Sequence, residues 1–468
     1  MFTCRRQAIA LFETHCGERG NAVPHRLSRR RFLTRTSAAA AGLVVGPLVL
    51  PAHGAGASPN EKLAIAVVGV AGRGGANLGG VSGEQIVALC DVDEHRLAKA
   101  AKKHPKARRY ADFRRMLDEV GRSIDAVVVS TPDHTHASPS AMALRMGKHV
   151  YCEKPLTHSV YETRVVADLA RQHKVATQIG TQIHARDNYR RVVELVRAGA
   201  VGPIRDVHVW SAARYGGVER PTETPPVPDG LEWDLWIGPA PKRPYHPCYL
   251  PGKWRSWWDF GSGALGDFGC HYMDLPFWAL GLRYPERVEA DGPPLHPEAV
   301  PRWSIVRYDF PATAERPKLR LTWYDGGKRP EERLKRDGLV TEKTAATNMN
   351  PAKWKSGVLF IGDKGMLLAD YTRHILLPEK AFAGFQRPEP SIPASIGHHK
   401  EWIRACKTGE PTTCRFDYSG PLTETVLLGY VALKAGQAIA WDAENLKATN
   451  CPKADAFVRL PYRDGWSL

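Results

Sequence analysis

Three residues in this chain have the types and spacing for proton and charge work on a small molecule. Asp267 and His271 stand four positions apart in GALGDFGCH, residues 263–271. On a helix that spacing places a carboxylate and an imidazole on one face. Lys154 follows the apolar run His149–Cys152 and is held by Pro155, so it stands at the end of a buried strand. An imidazole titrates near working pH and can take a proton, and an ammonium can stabilise developing oxyanion charge. Taken singly, each has a plainer explanation. Asp267 and His271 also describe an exposed i,i+4 pair worth a few tenths of a kcal/mol, and Lys154 a surface lysine.

The elements that would position them begin at Lys62–Gly75 (KLAIAVVGVAGRGG). An apolar run, Leu63 to Val68, meets a glycine turn. This reads as a buried strand, a phosphate-binding turn and a helix whose N-terminal N–H groups receive an anion. Against G-x-G-x-x-G, Gly69 and Gly74 match and Ala71 replaces the middle glycine. A second strand, Val87–Asp91, ends in an acid 22 positions after Gly69. A dinucleotide fold places a ribose-binding carboxylate there, which favours NAD over NADP. A third strand, Ile124–Ser130, ends in Thr131-Pro132-Asp133-His134-Thr135-His136, and a fourth opens into Glu153-Lys154-Pro155. Helices are expected over 112–118, 138–146 and 159–173, and a further strand over 175–180, ending at Thr181-Gln182. Strands alternating with helices at this spacing predict a doubly wound parallel sheet with ligands at the strands' carboxyl ends.

These residues resemble the Gfo/Idh/MocA family (glucose–fructose oxidoreductase, inositol dehydrogenase, rhizopine catabolism). The resemblance rests on GVAGRG (69–74), CDVD (90–93), TPDHTH (131–136), YCEKPL (151–156) and GALGDFGCH (263–271), the last with only one glycine at its start. It is closest to an exported branch whose chains end in Tyr-Arg-x-Gly-Trp-Ser; here Tyr462-Arg463-Asp464-Gly465-Trp466-Ser467 stands. The resemblance implies an N-terminal α/β Rossmann domain and an α+β C-terminal domain with an open, mostly antiparallel sheet. It implies an NAD site formed by Gly69, Ala71, Gly72, Arg73, Gly74, Asp91, Ser130, Thr131, Pro132, His134, Glu153, Lys154 and Gln182. It implies that Lys154, Asp267 and His271 sit at the nicotinamide. There His271 would be the general base, Asp267 would orient the substrate or His271, and Lys154 would bind the substrate oxygen. His134 and His136 are read as pocket or packing residues and no metal site is expected, since an isolated H-x-H lacks a third ligand.

The chain has 468 residues, 43% hydrophobic, with a net charge of +16, enough for two domains and a leader. Residues 1–57 carry eight Arg and two Glu, which is +6 of that total. Ser28-Arg29-Arg30-Arg31-Phe32-Leu33 resembles a twin-arginine export signal, followed by an interrupted apolar run and a small-x-small site at Ala55-Gly56-Ala57. The expected organisation is a signal peptide over 1–57, an NAD-binding domain over 58–181 and a substrate and oligomerisation domain over 182–468. The destination is periplasmic, reached through the twin-arginine machinery with cofactor already bound, and without a stable membrane anchor. No basic helix interleaved with aromatics and no zinc-finger spacing is present, which sets nucleic acid aside as a partner. Seven scattered cysteines beyond the leader, with no C-x-x-C, read as buried free thiols.

Residues 221–258 form a proline-rich insertion holding five of the thirteen tryptophans. Sugar faces stack on tryptophan, so Trp257 and Trp258 are the candidate substrate contacts, with Tyr324 at the end of the strand 319–324. Helices over 188–197, 399–407 and 422–436 and a hairpin turning at Gly362-Asp363-Lys364-Gly365 are expected, with 328–355 as a surface loop. Three functions compete. The first is an oxidoreductase acting on CH–OH groups of a sugar, polyol or sugar derivative. The second is an NAD-dependent glycosidase that oxidises, eliminates and re-reduces. The third is a non-catalytic sugar- or cofactor-binding module on the same fold.

Overall fold

The apolar run after Lys62 folds as β1 (Ala64–Val68), which pairs on both sides in a parallel sheet. This computed structural model describes residues 61–468, so the expected export signal lies outside the described residues. Among them, β2 (Gln85–Cys90), β3 (Arg108–Tyr110), β4 (Ala126–Val129), β5 (His149–Cys152) and β6 (Thr177–Ile179) complete a sheet of order β3-β2-β1-β4-β5-β6. Register explains why its carboxyl edge is useful. Val68 pairs with Cys90 and Val129, Val129 with Cys152, and Cys152 with Ile179. Gly69, Asp91, Ser130, Glu153 and Gly180 therefore leave the sheet side by side. Helices Phe113–Val120 and Glu94–Ala101 begin at Asp112 and Asp93, whose carboxylates accept from main-chain N–H groups of the first turn. Val160–His173 begins with a capping box between Ser159 and Glu162.

The second sheet contains β7 (Ile204–Trp210), β8 (Arg287–Asp291), β9 (Ile305–Phe310), β10 (Leu319–Tyr324), β11 (Gly357–Gly362), β12 (Gly365–Ala369), β13 (His374–Leu377), β14 (Ile439–Asp442) and β15 (Lys447–Ala448). Its order is β13-β12-β11-β7-β10-β9-β8-β14-β15, and only β7–β10 is parallel. The hairpin β11–β12 closes at Gly362↔Gly365, where the sequence placed it. One face is apolar: Val207, Tyr308, Leu321 and Phe360 pack with Leu265, Phe277 and Val426 from helices Gly263–Tyr272, Asp274–Leu280 and Phe416–Ala435.

Two expectations need correction. Residues 328–355 lie at the surface as expected but are not irregular throughout. Short helices Glu331–Leu334 and Glu342–Ala345 lay Leu334, Leu339 and Trp354 on Trp210, Leu359 and Leu368 of the sheet's outer face. Their few apolar residues are too widely spaced to show a period. The helix expected over 422–436 starts earlier, at Phe416, and runs through Pro421. A proline inside a helix costs about 3 kcal/mol, but Phe416 is fully buried among cofactor-domain residues and fixes the start. Trp402, from helix His398–Thr408, is likewise fully buried against β1, β2 and β4. Late segments thus complete the core of the first sheet. The seven described cysteines are free thiols, and six of them are buried. No helix among the described residues is long and apolar enough to cross a membrane.

Candidate active site

A cavity of about 570 Å³ runs along the carboxyl edge of the first sheet and reaches helix Gly263–Tyr272. At one end lies the glycine turn. Gly69 has φ +81°, and a Cβ there would stand 2.6 Å from the Ser130 carbonyl oxygen. A Cβ on Gly74 would fall 2.0 Å from the Gly69 oxygen, so Gly74 packs the helix on the turn and is not in the cavity wall. Gly72 caps helix Arg73–Val81 with no side-chain acceptor; Gly74 N donates to Ala71 O at 2.9 Å, and the other N–H groups of the first turn are left to an outside anion. Ala71 stands in the wall with Gly72 and Arg73. Asp91 lines the same end. Its carboxylate accepts from Val70 N at 3.0 Å and Asp93 N at 3.1 Å, and burial pushes its pKa up. With two of about four lone-pair positions used, it keeps acceptors for a ribose. A dinucleotide fits this cradle.

At the other end, Lys154 Nζ donates to Asp267 Oδ1, and at 2.9 Å to the Asp267 carbonyl. Tyr215 Oη donates to Asp267 Oδ2 at 2.9 Å. Arg255 Nε lies 2.9 Å from Oδ1, a charge contact without hydrogen-bond alignment. Burial alone would push the Asp267 carboxyl up; Lys154 and Arg255 outweigh it and hold the group well below the usual carboxylate range. One helical turn on, His271 lines the cavity with its Nδ1 buried and without a partner among the described residues. Burial, reinforced by the Lys154 charge, pulls its pKa down to about 3. Asp133 is buried beside them, accepting from Ser262 N at 3.2 Å, and burial pushes it up to about 7 against the opposing charge of Arg255.

The site therefore brings together Lys154, Asp267 and His271, and the wall also takes in Ser130, Thr131, Pro132, Glu153 and Gln182. Glu153 is fixed by Asn77 Nδ2 at 3.0 Å and Gln182 Nε2 at 2.8 Å. Asp267 is engaged by Lys154, Arg255 and Tyr215, so it positions the lysine rather than the imidazole. His136 ties two strand ends, with its ring nitrogens 2.7 and 2.8 Å from the Pro155 and Thr131 carbonyls.

Besides Gly74, four candidates lie outside the wall. His134 turns away from the cavity; its ring nitrogens sit 3.2 and 3.0 Å from the carbonyls of Phe260 and Trp236, clamping the sheet edge to the insertion. Trp257 and Trp258 are 2% and 9% exposed and outside the wall. The extended backbone at Trp257 sends neighbouring side chains to opposite sides. Trp257 joins Trp236, Tyr249 and Phe260 in a satellite core, and Trp258 packs on Tyr430. Tyr324 is on the outer face of the second sheet, its hydroxyl 3.0 Å from His208 Nδ1. The insertion supplies Trp254 and Trp236 to the wall instead. Sequence reasoning also missed Tyr215, Arg255 and Asp133 as site residues. Asp133 sat inside the quoted TPDHTH, and Arg255 between tryptophans of the insertion. Tyr215 carries no local signal.

Residues 63–181 match the model of an oxidoreductase family with an NAD-binding Rossmann fold, and 207–315 match that of the family's C-terminal alpha/beta domain. The chain is 34% identical over 150 residues to inositol 2-dehydrogenase 1 of Saccharopolyspora erythraea, covering 30% of this chain and 44% of that protein. It is 27% identical over 334 residues to an alpha-N-acetylgalactosaminidase of Shewanella oneidensis, covering 63% and 64% of the two chains. The chain thus spans less than half the length of the inositol dehydrogenase it matches. In fold it is similar to the WlbA dehydrogenase of Bordetella pertussis, solved with NADH and UDP-GlcNAcA, with a TM-score of 0.57, 17% identity, and coverage of 82% of this chain and 99% of that one. With the glycine turn, Asp91 and the Lys154–Asp267–His271 site assembled along one cavity, the chain matches the Gfo/Idh/MocA oxidoreductase family in each of its two domains.

Proposed function

We propose that this protein is an NAD-dependent oxidoreductase acting on a CH–OH group of a sugar, polyol or sugar derivative. The observation that carries this reading is the single cavity that joins the dinucleotide cradle at Gly69 and Asp91 to Lys154 and His271. Bound nicotinamide supplies a hydride acceptor and donor. Lys154 donates a hydrogen bond to the reacting oxygen, and Asp267, fixed by Tyr215 and Arg255, positions that ammonium. The His271 imidazole, at the cavity wall, takes the hydroxyl proton. Burial holds this imidazole neutral before reaction. Trp254 gives the substrate side of the wall an apolar ring.

A second reading, redox-neutral glycoside cleavage, is favoured by the length of the galactosaminidase match, 63% of this chain against 30% for the inositol dehydrogenase. Both readings share the first oxidation. Purified protein is challenged with sugars, polyols and aryl glycosides while nicotinamide absorbance and aglycone are followed. Net reduction of NAD without aglycone release is expected. Aglycone release with no net reduction would replace the first reading by the second, and turnover of none would leave a binding module.

Export is inferred from Ser28-Arg29-Arg30-Arg31-Phe32-Leu33. Fractionation checks it, and a wholly cytoplasmic protein would overturn it. Association of copies is inferred for the outer face of β7–β10, which carries the polar residues Asp206, His208, Asp309 and Arg320. A monomer in sedimentation would overturn that.

A further inference from the structure

The end of the cavity at Asp91 is closed by residues far from it in sequence. Leu231 and Leu235 of the insertion and Trp466 line it together with Val92, Arg96 and Phe113. The insertion docks by main-chain bonds on the residues that follow Asp91. Glu232 N donates to Val92 O at 2.9 Å, and Glu94 N to Gly230 O at 2.8 Å. Trp466 is then fastened to both partners. Arg463 Nε donates to Gly238 O at 2.6 Å, and its Nη2 to Asp234 O at 2.8 Å and Asp234 Oδ2 at 2.9 Å. Arg463 N donates to Pro239 O at 3.0 Å. From the sheet side, Arg114 Nη1 donates to Gly465 O at 3.2 Å, and the Arg114 guanidinium lies 4.3 Å from the Trp466 ring centroid. Phe113 packs on the same indole with ring centroids 6.1 Å apart.

We propose that Arg463–Trp466 is a strap over the adenosine end of the dinucleotide site, with Arg463 as its latch and Trp466 as its aromatic wall, and that it keeps NAD resident on the protein. This rests on the NAD reading above. Three physical points carry it. The indole is only half buried, and it lines the cavity. The Arg463 side chain is 12% exposed and holds three acceptors, a rigid attachment for a segment with no helix or strand of its own. The strap and the insertion meet at Asp234, so the wall opens only if the latch releases. Planar aromatic surface against a base is worth roughly ten- to a hundred-fold in affinity.

The test compares full-length protein with Trp466→Ala, Trp466→Phe and Arg463→Ala. Nucleotide per chain is measured after purification, and NADH release is followed by its fluorescence. The expected result is nucleotide co-purifying with the wild type, release roughly ten- to a hundred-fold faster in Trp466→Ala and Arg463→Ala, and near wild-type retention in Trp466→Phe. Thermal unfolding with saturating NAD, matched across the variants, separates a lost strap from a lost fold. Wild-type protein that holds NAD while Trp466→Ala and Arg463→Ala hold it equally long overturns the strap and leaves the NAD reading standing. Wild-type protein that neither carries nor binds NAD overturns that reading itself.

Discussion

Two polar clusters of similar make-up lie in this molecule. In one, Lys154, Arg255 and Tyr215 surround Asp267 at the cavity wall, with His271 one turn away. In the other, His184 Nδ1 sits 2.9 Å from Asp274 Oδ2, Tyr418 Oη donates to Asp274 Oδ1 at 2.7 Å, and Cys414 accepts from Thr181 Oγ1 at 3.4 Å. By residue type the second is the more suggestive, since it combines a thiol, an imidazole and a carboxylate. Yet His184 and Asp274 are both about 1% exposed and outside the cavity wall, and Trp278 stacks on the imidazole at 3.8 Å. The histidines have opposite fates. Burial pulls His271 down, and the nearby lysine pulls it further, to about 3. Burial would pull His184 down too, but the Asp274 charge outweighs it and raises the group to about 10. One imidazole borders a cavity with no carboxylate bonded to it, and the other is paired with a carboxylate away from the cavity. Access and the sign of the neighbouring charge, more than residue type, separate a site from a structural clamp.

Three experiments can break this contrast. The largest effect is expected for His271→Ala, which should lower turnover roughly 100- to 10,000-fold while bound nucleotide, read by absorbance, stays. Retained turnover would remove His271 as the base. Next, Asp274→Asn leaves a buried imidazolium without its partner and should cost about 3–5 kcal/mol in denaturant unfolding, with turnover per folded molecule near that of the wild type. Loss of turnover at unchanged stability would move the sealed cluster into the chemistry. The smallest effect concerns pH. His184 has a raised folded pKa, so its stabilisation is complete below about 6.5 and is lost as pH rises towards about 10. Buried thiols such as Cys152 and Cys414, pushed up by desolvation, tilt the alkaline limb the same way. The informative quantity is therefore the difference in alkaline slope between wild type and His184→Gln. Equal slopes would mean that His184 is not charged in the folded state. His271, at about 3, should contribute no ionisation to the rate between roughly pH 5 and 8.

What the sequence revealed follows the range of the forces involved. The glycine turn, Asp91 and the strand ends were legible because steric limits and apolar runs act over a few residues. The pair Asp267 and His271 was legible because a helix converts a spacing of four into a shared face. Tyr215 was not legible, because it stands 52 residues from Asp267 and meets it only in the fold. The tryptophans misled for the same reason. Trp254 and Trp257 are chemically equal in sequence, and only a 3₁₀ turn ending in an extended residue decides which ring meets the cavity. The helix through Pro421 was hidden because its start is set by burial in the other domain.

That burial has a consequence for biosynthesis. The Gly69 turn leaves the ribosome early. Trp402 and Phe416, which fill the faces of its sheet, and Trp466, which lines its cavity, are translated long after it. The first sheet therefore cannot reach its final packing until those later segments have been made.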